Sequence, residues 1–156
     1  MGRKGSVKVK IQYNLPCNIA QTLNIIGDRW SLLILYQLFI GHDTYKELQD
    51  SLDGIPTNLL SERLKTMESD ELITRNLYQS HPPRYKYSLT EKGCDLQDVF
   101  NSIILWGEKY LNTCYKKLVH KDCNHSIEHK YYCNYCNKSV SIKEVELMDP
   151  EEEQLF

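Results

Sequence analysis

Residues 55–93 read IPTNLLSERLKTMESDELITRNLYQSHPPRYKYSLTEKG, and they change period half-way along. Leu60, Leu64 and Met67 recur at helical spacing behind Pro56, a residue suited to a helix start because its missing N–H would be unpaired there anyway. That stripe predicts the buried face of a helix. The opposite face carries Thr57, Asn58, Ser61, Glu62 and Lys65, short polar groups and one cation of the kind that reads base edges. After Leu72 the period becomes two: Tyr85, Tyr87 and Leu89 alternate with Arg84, Lys86 and Ser88, and Ser80-His81-Pro82-Pro83 separates ITRNLYQ from RYKYSLT as a turn. A helix followed directly by a partly basic hairpin is the order in which one element enters a DNA major groove and the other reaches the adjoining backbone or minor groove.

The residues upstream supply the other helices. Asn18 with Gln21 has the spacing of a capping box and predicts a helix with Ile19, Leu23 and Ile26 as its apolar stripe. Asp28 is placed to cap a second helix, RWSLLILYQLF, which is apolar nearly all round and ends at Gly41. Thr44 and Glu47 form another capping-box pair, opening a short helix that stops at Asp53-Gly54. Downstream, Thr90 is placed to cap a long helix with Leu96, Val99, Phe100, Ile103, Trp106 and Tyr110 on a broad apolar face. The expected fold is α+β, mainly α with a small β-hairpin wing: a winged helix-turn-helix with extra N- and C-terminal dimerisation helices. The long helix either packs on its copy in a second subunit or folds back on the first helix of its own chain. A two-fold dimer would set two recognition helices roughly 34 Å apart, one turn of DNA.

Length and charge bound the organisation. With 156 residues, the chain suits a flexible N-terminal tail over 1–14, a winged-helix DNA-binding and dimerisation domain over 15–118, a small Cys/His-rich element over 119–148 and an acidic tail over 149–156. The basic residues of 1–12 suit a mobile tail or a minor-groove arm. The net charge of −2 conceals an asymmetry, because residues 144–156 hold six acids and no Lys or Arg, leaving 19 basic residues against 15 acidic ones. Any DNA footprint is therefore local. The run SLLILYQLFI at 31–40 is too short to span a bilayer, and no signal-peptide pattern opens the sequence, which predicts a cytoplasmic protein.

Together these motifs resemble the HxlR-type winged-helix regulators, within the wider group that includes MarR-like proteins. The resemblance covers about residues 15–112 and rests on Cys17 before a capped helix, GDRWSLLIL at 27–35, TYKELQDSLDGIPTNLLSERLKTME at 44–68 and PPRYKYSLTEKG at 82–93. It implies a homodimeric transcriptional regulator, usually a repressor and sometimes an activator, binding double-stranded DNA at a short inverted repeat near a promoter. By position it places Thr57, Asn58, Ser61, Arg63 and Lys65 on the DNA-binding helix, with His81 and Arg84 on the wing. Many members carry Lys where Asn58 stands, and Asn pairs bidentately with adenine, so the operator sequence does not transfer. Arg63, three residues past Leu60 and next to Leu64, is open to two roles: contact with DNA, or bracing the helix against Glu68 or another acid.

Six cysteines remain. Cys17, just before a helix start, is the redox-sensing candidate, since free N–H groups there favour thiolate; a silent structural thiol is the alternative. The resemblance implies an oxidant- or electrophile-sensing role at this position in some members. Cys94 is expected to pack against the long helix. His120-x-x-Cys123 and Cys133-x-x-Cys136 have the spacing of a Cys3His structural zinc site, with His125, His129 or Cys114 as substitutes for His120. The family tail often reads HxxCG…CxxCG, as the resemblance implies, and here Asn124 and Asn137 replace the glycines. A reduced, metal-free hairpin is the alternative. No HExxH-like set or carboxylate pair stands near these ligands, so a zinc enzyme is not expected. The competing class is a winged helix that docks proteins without touching DNA.

Overall fold

The structure, a computed structural model, describes residues 12–148, and Tyr13 is hydrogen-bonded to the first helix. Its amide donates to Asn24 Oδ1 (2.8 Å) and its carbonyl accepts from Asn24 Nδ2 (3.0 Å), while Gln21 Nε2 donates to Leu15 O (2.8 Å). These bonds strap residues 13–15 onto helix α1 (Asn18–Ile26). The basic arm over 1–11 lies outside the described residues. They also replace the expected capping box: Cys17 is the N-cap, no side chain caps the helix, and the Gln21 amide is engaged upstream. The buried face of α1 is Ala20 and Ile26, whereas Ile19 and Leu23 are exposed, a shift of the expected stripe.

Trp30 is the N-cap residue of helix α2 (Ser31–Phe39), and Asp28, expected as the cap, serves that turn from two residues upstream, its Oδ1 accepting from the amides of Trp30 (3.0 Å) and Ser31 (3.2 Å). Ile34 and Leu35 are fully buried, which makes α2 the central helix. Helix α3 (Tyr45–Ser51) opens on the predicted box, with Thr44 accepting from Glu47 N and Glu47 accepting from Thr44 N. Leu48 is its fully buried residue. Gly54, at φ +79°, makes the turn into α4 (Thr57–Ser69), a backbone region that side chains disfavour. Pro56 is the N-cap of α4, and Leu60, Leu64 and Met67 are buried as the spacing predicts. Each fully buried aliphatic side chain contributes about 1.5–3 kcal/mol, so Ile34, Leu35, Leu48, Leu60 and Ile73 anchor one core.

Helix α4 ends in a Schellman arrangement: Leu72 N donates to Met67 O (2.9 Å) and Glu71 N to Glu68 O (3.1 Å). Glu71 takes the left-handed position, φ 59°, usually occupied by glycine. Glu71→Gly should therefore raise stability by about 1 kcal/mol, read as a higher midpoint in urea unfolding with unchanged slope.

The hairpin forms where expected, from β1 (Ile73–Ser80) and β2 (Pro83–Leu89), antiparallel, with Ile73 opposite Leu89 and an irregularity at Tyr78. Tyr85, Tyr87 and Leu89 are half-buried and the residues between them exposed. A third, very short edge was not visible in the sequence: Thr44 bridges Lys86, and Tyr87 N donates to Asp43 O (2.7 Å).

Thr90 caps a four-residue helix, α5 (Glu91–Cys94), rather than the long one. Its hydroxyl accepts from Gly93 N and donates to Glu71 O (2.6 Å), which commits the chain to the end of α4 before α6 (Gln97–Tyr110) begins. Cys94 is exposed, because Gly93 takes the inward position of that turn. The chain divides into two compact units, up to Gln97 and from Asp98, so α6 groups with the C-terminal segment. In the second unit Phe100 is buried, while Val99, Ile103, Trp106 and Tyr110 are exposed. Beyond α6, two small hairpins follow. One is closed by the Val119–Ser126 bridge, and the other is built from β3 (Tyr131–Cys133) and β4 (Lys138–Val140). A 3-10 turn, Ile142–Glu144, is capped by Ser141. Among the described residues no helix is long and apolar enough to cross a membrane.

Candidate nucleic-acid interface

Thr57, Asn58 and Lys65 stand exposed on α4, and Ser61 is half-buried beside them. The front of the helix is held by Tyr45 of α3, whose hydroxyl donates to Thr57 O (2.8 Å) and accepts from Ser61 Oγ (3.3 Å). This fixes the pitch of α4 against α3, the relation that a helix-turn-helix must hold. Arg63 takes the bracing arrangement. Its Nε lies 3.1 Å from Asp28 Oδ1, with only 18% of the side chain exposed, and the partner is Asp28 rather than Glu68. The contact is an ion pair without hydrogen-bond alignment, since Nε has no hydrogen-bond partner. The aspartate that caps α2 therefore also anchors α4.

Glu68 instead holds Arg75 of β1 (3.0 Å), whose guanidinium lies 5.1 Å over the Tyr85 ring. Lys86 is likewise engaged, 2.8 Å from Asp43 Oδ2, and that hydrogen bond raises the lysine pKa above its ordinary value. Hydrogen bonds from the Thr44 side chain and backbone hold the Glu47 carboxyl below the usual range. Burial pushes the Tyr87 hydroxyl up. The cations close to the wing root are thus spent on structure. At the tip, His81 and Arg84 are exposed, and among the described residues neither Arg84 nor Lys65 has an acidic partner.

Cys17 is exposed at the start of α1, its amide donating to Leu15 O (2.8 Å). In the second unit the structure brings the predicted ligands together pairwise. His120 Nδ1 is 3.1 Å from Cys123 Sγ, and Cys136 N donates to Cys133 Sγ (3.4 Å). That bond from the Cys136 amide lowers the Cys133 pKa, and hydrogen bonding to Cys133 raises that of Cys136. The two pairs do not converge with each other: among the described residues no three His, Cys, Asp or Glu side chains surround a common point.

A buried central helix α2, helix α4 pitched against α3 by Tyr45, and a hairpin pinned to the loop before α3 define a winged helix-turn-helix. The profile described as HxlR-like helix-turn-helix matches residues 25–115, more than half of the chain. An uncharacterised HTH-type transcriptional regulator of Mycobacterium tuberculosis is 33% identical over 131 residues, covering 82% of each chain. The crystal structure of the candidate transcription factor PA1607 superposes with a TM-score of 0.74 at 26% identity, over 86% of this chain and 96% of that one. The redox regulator HypR in its oxidised form superposes with a TM-score of 0.57 at 29% identity, over 62% of this chain and all of that one (100%). The chain belongs to the HxlR-like helix-turn-helix family of transcriptional regulators.

Proposed function

We propose that this regulator binds an inverted-repeat operator in cytoplasmic DNA as a homodimer, with α4 in the major groove and the wing tip on the backbone, and that it represses the adjoining promoter. The observation that carries this reading is the division of labour on α4. Leu60, Leu64 and Met67 are buried and Arg63 is tied to Asp28, while Thr57, Asn58, Glu62 and Lys65 are exposed and Ser61 is half-buried beside them; of these, Thr57, Asn58, Ser61 and Lys65 are the groups suited to DNA. Dimerisation is supported by apolar side chains that a single chain leaves in water: Ile19 and Leu23 on α1, and Ile103, Trp106 and Tyr110 on α6, with Trp106 60% exposed. Control by a thiol switch is supported by the exposure of Cys17 two residues before Ile19, and by the likeness to a redox regulator. An adduct or oxidised sulfur there would alter the end of α1 and, through it, the spacing of the two recognition helices.

Fluorescence anisotropy tests this. The reduced chain is titrated with the duplex upstream of its own gene and with random duplex, across a salt series and after mild thiol oxidation. Operator preference and a steep salt slope are expected, because each phosphate neutralised contributes about 0.9 to that slope. Asn58→Ala should lower the preference for operator over random DNA by roughly 10-fold while leaving the slope unchanged, as base contacts specify and phosphate contacts position. Cys17→Ser should make binding indifferent to oxidation. Absence of salt-dependent affinity for any duplex would overturn the reading and favour a protein-docking role.

A further inference from the structure

The described residues after α6 lack what a small fold needs to hold itself together. From Leu111 to Met148 no residue is buried, and Leu118, Cys133 and Val140 are the half-buried ones. Tyr135 is 99% exposed and Leu147 97%. A segment below about 40 residues without a core requires disulfides, a metal or association to stay folded. Its cysteines are free thiols.

Within this segment the same turn is built twice. In the first, His120 and Cys123 flank two residues, and Asn124 follows with φ 56°; in the second, Cys133 and Cys136 flank two residues, and Asn137 follows with φ 53°. These are two of the three non-glycine residues with positive φ among the described residues. Each turn closes a hairpin. His120 N donates to His125 O (2.8 Å) and Ile127 N to Leu118 O (3.2 Å) around the first, and Tyr131–Val140 pairing frames the second. In each turn the two donor residues already meet, by the His120–Cys123 contact and by the N–H···S bond from Cys136 to Cys133. A left-handed residue after the second donor of each pair turns the backbone back, which lets both donors of the pair face the same ion.

We propose that residues 118–140 form a structural site for one zinc ion, with His120 and Cys123 supplied by the first hairpin and Cys133 and Cys136 by the second. Three sulfurs and one imidazole are a borderline-soft set that suits tetrahedral zinc, and four protein donors close the site, leaving no position for substrate. The alternative histidines and cysteine are less suited. The His129 ring packs edge-on against Tyr131 at 5.1 Å, Cys114 Sγ donates to Lys116 O (3.5 Å), and His120 is the histidine whose ring meets a cysteine of the set. His120 Nε2, on the side away from Cys123, lies 3.8 Å from Asp122 Oδ2, a carboxylate able to orient the ring. The two pairs are separate in the structure, and only residues 128–130 link the hairpins. Three residues span at most about 10 Å, so the bases of the two hairpins stay close, and closing the site requires their tips to swing together about this link.

The test uses the full chain, reduced and stripped of metal, titrated with zinc alone and separately with cobalt(II), whose visible spectrum reports tetrahedral thiolate ligation. One equivalent per chain is expected, with a cobalt spectrum of three thiolates and one imidazole that zinc abolishes. Cys123→Ser and Cys136→Ser should each weaken zinc by at least roughly 100-fold, more than loss of an outer-shell partner costs, whereas His129→Ala and Cys17→Ser should bind like the parent. Zinc should also protect Lys121, Lys130 and Lys138 from trypsin. Failure of the reduced chain to retain zinc would overturn the site, and so would Cys123→Ser binding with parental affinity. DNA binding is read separately on the same samples, so loss of the metal site leaves the operator reading standing.

Discussion

Replacing Gly93 by alanine should destabilise the protein by about 3 kcal/mol, at the upper end of what overpacking costs. A Cβ built there would stand 2.2 Å from Leu72 O and 3.1 Å from Leu89 Cδ2, and the first of these is backbone that cannot swing away. Leu72 O is also the acceptor for Thr90 N (3.0 Å), so a shift that relieved the clash would break the junction between β1 and α5. Chemical denaturation of the two proteins measures the difference. Gly107→Ala is the control: its Cβ would meet a Leu111 methyl at 3.3 Å, the far end of a flexible side chain, within a helix where alanine is preferred by about 0.5–1 kcal/mol. A similar loss from both variants would refute the close-approach account of Gly93.

Asp28→Ala is expected to cost on the order of 3 kcal/mol, because one carboxylate does two jobs. It accepts from the Trp30 and Ser31 amides and the Ser31 hydroxyl at the start of α2, and its Oδ1 lies 3.1 Å from Arg63 on α4. Loss of the cap alone costs about 1 kcal/mol. The rest comes from leaving a mostly buried guanidinium without its counter-ion. Asp28→Asn separates the two, since asparagine caps as well as aspartate but carries no charge. In an Arg63→Met background the charge-dependent part should vanish. If Asp28→Asn were as damaging there as in the parent, the pair would not be the source of the loss.

Local signals in the sequence carried the fold well. The 60/64/67 stripe, the Thr44–Glu47 box, the period-two hairpin and the Asp28 cap are each decided within one turn or strand, so spacing alone locates them. Features that need a distant partner were not legible. Nothing near Arg63 in the sequence points to Asp28, thirty-five positions away, and the Asp43–Tyr87 bond joins a loop to a strand across as long a gap. The Asn18–Gln21 pair matched a capping pattern, but Gln21 found better acceptors in the carbonyls of Tyr13 and Leu15, which a helix-local rule cannot anticipate. Thr90 misled in a similar way, because its bond to Glu71 O stops the helix that it starts. For the candidate interface, position on α4 and the wing was readable. Which cations were free was not, since Arg75 and Lys86 are occupied by Glu68 and Asp43.

The Tyr45 hydroxyl that sets the pitch of α4 also fixes the polarity of one residue on the proposed DNA face. Ser61 Oγ donates its proton to Tyr45, whose own proton goes to Thr57 O. The serine, ordinarily both donor and acceptor, can therefore offer only lone pairs outward. In a major groove it would be complementary to the amino hydrogens of adenine or cytosine and mismatched with the bare acceptors of guanine and thymine. On the proposed operator, a tyrosine inside the helix pair would thereby narrow the alphabet open to the neighbouring helix.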